Sequence, residues 1–105
     1  MIKIFLDDLR PTPDGFIRTY TVEETIKAIL EHDGNIDTVS LDNDLGDGLD
    51  EGRKVMDWIE ASAYFDMLRP IPNLLIHSGN NVAVDGMKMA RTNAYKYWEE
   101  YKNKR

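Results

Sequence analysis

Ser40-Leu41-Asp42-Asn43-Asp44-Leu45-Gly46-Asp47-Gly48 is the stretch on which the reading of this chain turns. It follows an apolar run (Ile36, Val39, Leu41) and precedes a helical pattern, so it reads as a strand that ends and turns. Aspartates are poor strand residues, and clustered carboxylates repel unless a cation or a proton lies between them. Gly46 and Gly48 let the backbone take positive φ and approach a bound group closely. An acidic, solvated turn is the other reading of the same residues. Stretches on either side decide between the two.

Upstream, residues 2–7 (Ile-Lys-Ile-Phe-Leu-Asp) form a short, nearly continuous apolar run, the pattern of a strand buried on both faces. The run ends in Asp7, Asp8 and, after Leu9, Arg10. Adjacent residues on a strand point to opposite faces, but at a fraying end both carboxylates can turn towards one site. Pairing of Asp8 with Arg10 is the structural alternative. Pro11 to Gly15 is a loop by its proline and glycine chemistry, and Phe16 to Tyr20 reads as a second, shorter strand. Thr21-Val-Glu-Glu24 has the spacing of a capping box, in which hydroxyl and carboxylate satisfy each other's backbone N–H groups. The helix behind it carries Val22, Ile26, Ile29 and Leu30 on one face and stops at His32-Asp33-Gly34, with His32 in its last turn.

Ile36 to Asp42 is the third strand. Downstream, Asp50 to Ala63 carries Val55, Met56, Ile59 and Ala63 at helical spacing, with Trp58 on the shoulder. Arg69-Pro-Ile-Pro72 breaks the chain, and Asn73 to His77 makes a fourth strand. After Ser78-Gly-Asn-Asn81 comes a long helix with Val84, Met87, Ala94, Trp98 and Tyr101 along one face. Alternating strands and helices specify an α/β sandwich with a mainly parallel sheet. The first crossover, Leu9 to Gly15, is too short for a full helix, so a parallel first pair would need a degenerate connection.

The 105 residues suit a single domain, 1–105, and 42% apolar with 30% charged residues is ordinary for a globular chain. With no cysteine there is neither a disulfide framework nor a thiolate metal site. Met1 to Asp8 breaks into charge too soon for a signal sequence or a membrane span, so a cytoplasmic protein without membrane contact is expected. The net charge of −6, with basic residues concentrated only between Lys96 and Arg105, argues against wide duplex binding. A small phosphorylated ligand, or a nucleic-acid end held through a metal, stays compatible with it.

In an open parallel sheet, ligands bind beyond the carboxyl ends of the strands. The first strand brings Asp7, Asp8 and Arg10 to that edge; the third brings Asp42, Asn43 and Asp44; the fourth brings His77, Ser78, Asn80 and Asn81. Several oxygen ligands at short range suit a hard cation such as Mg²⁺ or Mn²⁺. An EF-hand does not fit, since position twelve counted from Asp42 is Arg53, and one usable histidine is too few for catalytic zinc. His77 is the group able to move protons near neutral pH, or else a strand-end histidine bonded to an aspartate. Ser78 can donate to a phosphate oxygen or simply turn the chain. Asn80 or Asn81 has the place of an N-cap, at a helix end that favours anions.

Leu6-Asp7-Asp8-Leu9-Arg10-Pro11, Ser40-Leu41-Asp42-Asn43-Asp44-Leu45-Gly46 and Ile76-His77-Ser78-Gly79-Asn80 together resemble the cyclic-phosphate-processing receiver-like family, compact relatives of response-regulator receiver domains. The resemblance spans nearly the whole chain. It implies a flavodoxin/receiver-like three-layer sandwich with a four-stranded sheet of order 2-1-3-4. It also implies an acidic metal site from Asp7, Asp8 and Asp42, with Asp44 beside it, and hydrolysis of a cyclic phosphate or phosphodiester of a nucleotide or RNA end. On that basis Asp42, Asp44 and His77 are the catalytic candidates, and Arg10, Ser78 and Asn80 the substrate-binding ones. The family usually has a histidine where this chain has Asn43. A true receiver also needs a lysine after a fifth strand, and only a helix follows Ser78 here, so a phosphoacceptor switch at Asp42 ranks below a metal-dependent phosphoesterase. The remaining alternative is a non-catalytic receiver-like interaction module.

Overall fold

A computed structural model describes residues 1–43, 51–77 and 81–104. The elements run β1 (Ile2–Leu6), β2 (Phe16–Thr19), α1 (Val22–Glu31), β3 (Ile36–Leu41), α2 (Arg53–Tyr64), β4 (Asn73–Ile76) and α3 (Asn81–Lys104). The four strands form one sheet of order β2-β1-β3-β4, and every neighbouring pair is parallel. This is the expected receiver-like order.

The first parallel pair is made without a helix. Residues 7–15 cross from β1 to β2 as a loop, fastened by Arg18 from the middle of β2. Its guanidinium donates to the Asp7 carbonyl (Nε, 2.9 Å), the Thr12 hydroxyl (Nη1, 2.9 Å) and the Arg10 carbonyl. Two of these bonds satisfy backbone oxygens, of Asp7 and Arg10, that a crossover helix would have satisfied internally.

The missing helix decides the layering. Alternate strand residues Ile4, Leu6, Val39, Leu41 and Leu74 join residues of all three helices in one apolar cluster, including Ile29, Met56, Ile59, Met87 and Trp98. Phe5 is also buried but lies outside that cluster, because it points to the other face. α2 packs against both α1 and α3. All the described helices therefore lie on one side, and the shortest dimension of the molecule is 20 Å, room for one sheet and one helical layer. Among the described residues the expected three layers are two, since the β1–β2 crossover that would supply the other layer carries no helix.

Two local expectations shift. Thr21 does cap α1, its hydroxyl accepting from Glu24 N at 3.1 Å, but the Glu24 carboxylate reaches Tyr20 N (3.1 Å), one residue before the cap. Leu30, expected on the apolar face, is mostly exposed, and the buried set is Val22, Thr25, Ala28 and Ile29. In α3 the buried face is Met87, Ala90, Ala94 and Trp98.

The sheet stops at β4 for a visible reason. Leu74 turns its N–H and C=O away from β3; Tyr95 Oη accepts from Leu74 N (2.9 Å), and Arg91 Nη1 donates to Leu74 O (3.1 Å). Tyr95 Oη also donates to Pro72 O at 3.2 Å. Side chains of α3 thus take the hydrogen bonds a fifth strand would take. Tyr95→Phe should keep the ring packing and lose about 1–2 kcal/mol, read as a lower urea midpoint at unchanged m.

Candidate functional site

Leu6, Leu41 and Ile76 are level in the register, so the residues that follow them, Asp7, Asp42 and His77, leave the sheet side by side. Each N–H still bonds to the neighbouring strand: Asp7 N to Thr19 O (3.2 Å), Asp42 N to Leu6 O (3.0 Å), His77 N to Leu41 O (3.0 Å). The ladder therefore positions the three groups before any side chain acts. By alternation they share the parity of Phe5, Ser40 and Leu75 and stand on the side without helices.

Asp7 is the most enclosed, at 1% exposure. Its Oδ1 accepts from Leu9 N (2.8 Å) and Arg10 N (2.9 Å), which folds the loop back after β1. Its Oδ2 accepts from His77 Nε2 at 3.0 Å, with Arg10 Nε at 3.9 Å. Burial by itself pushes this carboxyl up; the two backbone N–H groups and His77 outweigh it and hold it below the ordinary aspartate range. Arg10 pairs with Asp7 here, while its Nη1 donates to the His77 carbonyl.

His77 is held on three sides. Its ring stacks on Phe5 (centroids 4.4 Å, planes 4° apart), its Nδ1 meets Ser40 Oγ at 2.7 Å, and its Nε2 meets Asp7. Burial lowers its pKa from the ordinary value, against the pull of Asp7 and Asp42, so the ring is neutral near pH 7. An ionised Asp7 can only accept, so Nε2 carries the hydrogen and Nδ1 accepts from the Ser40 hydroxyl. Both ring nitrogens are engaged.

Asp8 and Asp42 complete the cluster. One carboxylate oxygen from each of Asp7, Asp8 and Asp42 lies within 4.8 Å of the others. Asp7 and Asp42 are buried and Asp8 is half-buried. Three hard oxygen donors at this range are the donor chemistry of a small divalent cation, with waters completing the shell. About three of the four acceptor positions of Asp7 are already used within the protein, so it brings charge and at most one lone pair.

Asn43, beside Asp42, faces the helices and is fully buried. Its carbonyl accepts from Gly52 N (2.9 Å) and its side-chain Oδ1 from Arg53 N (3.1 Å), so it holds the start of α2. Gly52 is required there: a Cβ would stand 1.7 Å from the Asp42 carbonyl oxygen. Asp44, Ser78 and Asn80 lie outside the described residues.

The model of the cyclic-phosphate processing receiver domain family matches residues 2–93. The chain belongs to this family. No match appears among curated proteins or among solved structures. The resemblance seen in the three motifs is thus an assignment covering most of the chain.

Within this receiver domain, the strand-end motifs named Asp7, Asp8, Arg10, Asp42 and His77, and all of these meet at one edge. Ser40, Phe5, Arg18 and Gly52 were not singled out. Ser40 had one signal, a hydroxyl two residues before Asp42 on the same side of a strand; the others depend on contacts across the sheet or with a helix. Among the described residues, no helix is long and apolar enough to cross a membrane.

Two measurements check this geometry. Gly52→Ala should lose about 1–3 kcal/mol of stability, because backbone, not a movable side chain, occupies the space. In metal-free protein, stability should also fall on acidification from about pH 7 to about pH 5. The unfolded chain takes up a proton at its ordinary histidine pKa, while the folded site, with His77 lowered, resists it. Denaturation at several pH values should show that slope flattened in His77→Gln.

Proposed function

We propose that this receiver domain is a divalent-cation-dependent phosphoesterase acting on a cyclic phosphate of a nucleotide or RNA end. The observation that carries the reading is the convergence of Asp7, Asp8 and Asp42 within 4.8 Å at the edge where the family's motifs meet. Mg²⁺ or Mn²⁺ bound there would supply Lewis-acid polarisation of a phosphoryl oxygen and of water. Asp8 and Asp42 are the principal ligands in this reading, since most acceptor positions of Asp7 are taken.

The chain's own residues have separate tasks. Asp7 ties the β1 loop to the site and adds charge. His77 holds Asp7 through Nε2–H, and it can give or take a proton only by exchanging that bond for one to substrate. Arg10 keeps its guanidinium at the mouth of the site, where a planar, two-pronged donor can meet a non-bridging phosphate oxygen. In the reaction, water adds to phosphorus, the bond to one ribose oxygen breaks, and that oxygen takes the proton; a phosphomonoester results. Asp44, Ser78 and Asn80 keep the catalytic and substrate-binding roles proposed for them from the motifs.

One observation favours a second reading, a receiver-like module that binds a cation or partner without turnover. Asn43 replaces the family's usual histidine, and its side chain is spent on the start of α2. With His77 also fully bonded, proton transfer has no idle imidazole at this edge among the described residues.

Calorimetric titration with Mg²⁺ and Mn²⁺, followed by assay on 2′,3′-cyclic nucleotides, separates the two. The phosphoesterase reading expects cation binding that Asp42→Asn abolishes and hydrolysis that falls at least about 100-fold in the same variant. Cation binding without hydrolysis of any cyclic phosphate leaves the module. Labelling of Asp42 from acetyl phosphate would mark a phosphoacceptor instead.

A further inference from the structure

The far end of the helical layer carries chemistry that the acidic edge does not use. α2 starts against that edge, where Gly52 N bonds to the Asn43 carbonyl at 2.9 Å. Its 12 residues carry the chain about 18 Å away, to Tyr64. There Tyr64 meets Tyr97, Glu100 and Tyr101 of α3, and the four line a cavity of about 280 Å³. Pockets for whole small molecules begin at about 300 Å³, so this one takes a headgroup or the end of a side chain.

Four features of this cavity favour positive charge. The Tyr64 and Tyr97 rings stand at 87° with centroids 5.3 Å apart, and Phe65 stands at 88° to Tyr64. Perpendicular rings make a corner in which a compact cation can touch two negative ring faces. Tyr64 is also the last residue of α2, so the negative end of that helix lies at the cavity, and its last turn holds no basic residue. Glu100 adds a full negative charge, and nothing among the described residues pairs with it. Tyr101 Oη donates its hydrogen to Tyr64 O at 2.6 Å, so towards a ligand it can only accept. The cations nearby in sequence are placed elsewhere. Arg69, in the loop after α2, is committed to Asp66 and the Trp98 carbonyl. Lys96 and Lys102 are exposed and lie about 100° around α3 from Tyr97 and Tyr101.

We propose that the cavity between Tyr64, Tyr97, Glu100 and Tyr101 binds a primary alkylammonium group. A quaternary ammonium would satisfy the rings but bring no donor to Glu100 or Tyr101 Oη. A planar guanidinium can stack on only one of two perpendicular rings. A primary ammonium is a compact charge with three donors, and it serves rings and acceptors together. The same group is carried by a free polyamine and by a lysine of a partner protein. The site stands apart from the phosphoesterase reading, since the length of α2 separates it from the acidic edge.

The test is NMR titration of the full chain with n-butylammonium at constant ionic strength, following the ring resonances of Tyr64, Tyr97 and Tyr101. The expected result is saturable shifts at these rings, and none with neutral butyramide. Glu100→Gln should weaken binding about fivefold and Tyr97→Leu about threefold. Glu100 is exposed, so its variant stays informative if Tyr97→Leu fails to fold. Tetramethylammonium, with no N–H to offer, should bind at least about threefold more weakly than n-butylammonium. Spermidine and N-acetyl-lysine amide then separate the sources, both shifting the same rings. Spermidine tighter by about tenfold or more assigns a polyamine, and comparable affinities assign a lysine. Shifts that never saturate, or unchanged affinity in Glu100→Gln, overturn the proposal. So does tetramethylammonium binding as tightly as the primary amine. Lys104 follows Glu100 by four positions. Binding that appears only in Lys104→Ala would mean that the chain's own lysine fills the cavity, and an external ligand would be ruled out.

Discussion

Everything at the acidic edge depends on three backbone hydrogen bonds just past the ends of the strands. Asp7 N, Asp42 N and His77 N continue the parallel ladder by one residue, and that is what makes two acids and an imidazole neighbours. The cost of gathering buried carboxylates is met locally. Asp7 receives two backbone N–H groups from its own loop and one from the His77 ring, so its charge is solvated by protein before any cation arrives. Loop, imidazole and carboxylate are therefore one unit, and removing any member disturbs the other two.

Asp42 and Asn43 divide the labour of adjacent strand-end residues. One faces the acidic edge; the other turns to the helical layer and receives the first N–H groups of α2. The contact of Gly52 with the Asp42 carbonyl leaves no slack between them. A sequence pattern that looks like three polar residues in a turn is a joint between the site and the helix that supports it.

The order of elements and the residues of the edge were legible because they rest on local signals. Short apolar runs mark strands, a threonine–glutamate spacing marks a helix start, and polar groups at strand ends mark the site. What was not legible depends on partners distant in sequence. The number of layers hinged on residues 7–15, where shortness announced a difficult connection but not that no described helix would lie on that face. Arg18 read as an ordinary strand residue until its bonds to Asp7, Arg10 and Thr12 made it the clasp of that connection. Ser40 and Phe5 gained meaning only once His77 was laid between them.

The end of the sheet has a further consequence. A backbone strand would close the β4 edge along its length; here a phenol and a guanidinium close it at one residue, Leu74. Such a closure can be undone by changing two side chains, without altering the course of the chain. A protein that lost both would offer a bare strand edge to any other extended segment it met, and its first symptom would be self-association rather than unfolding.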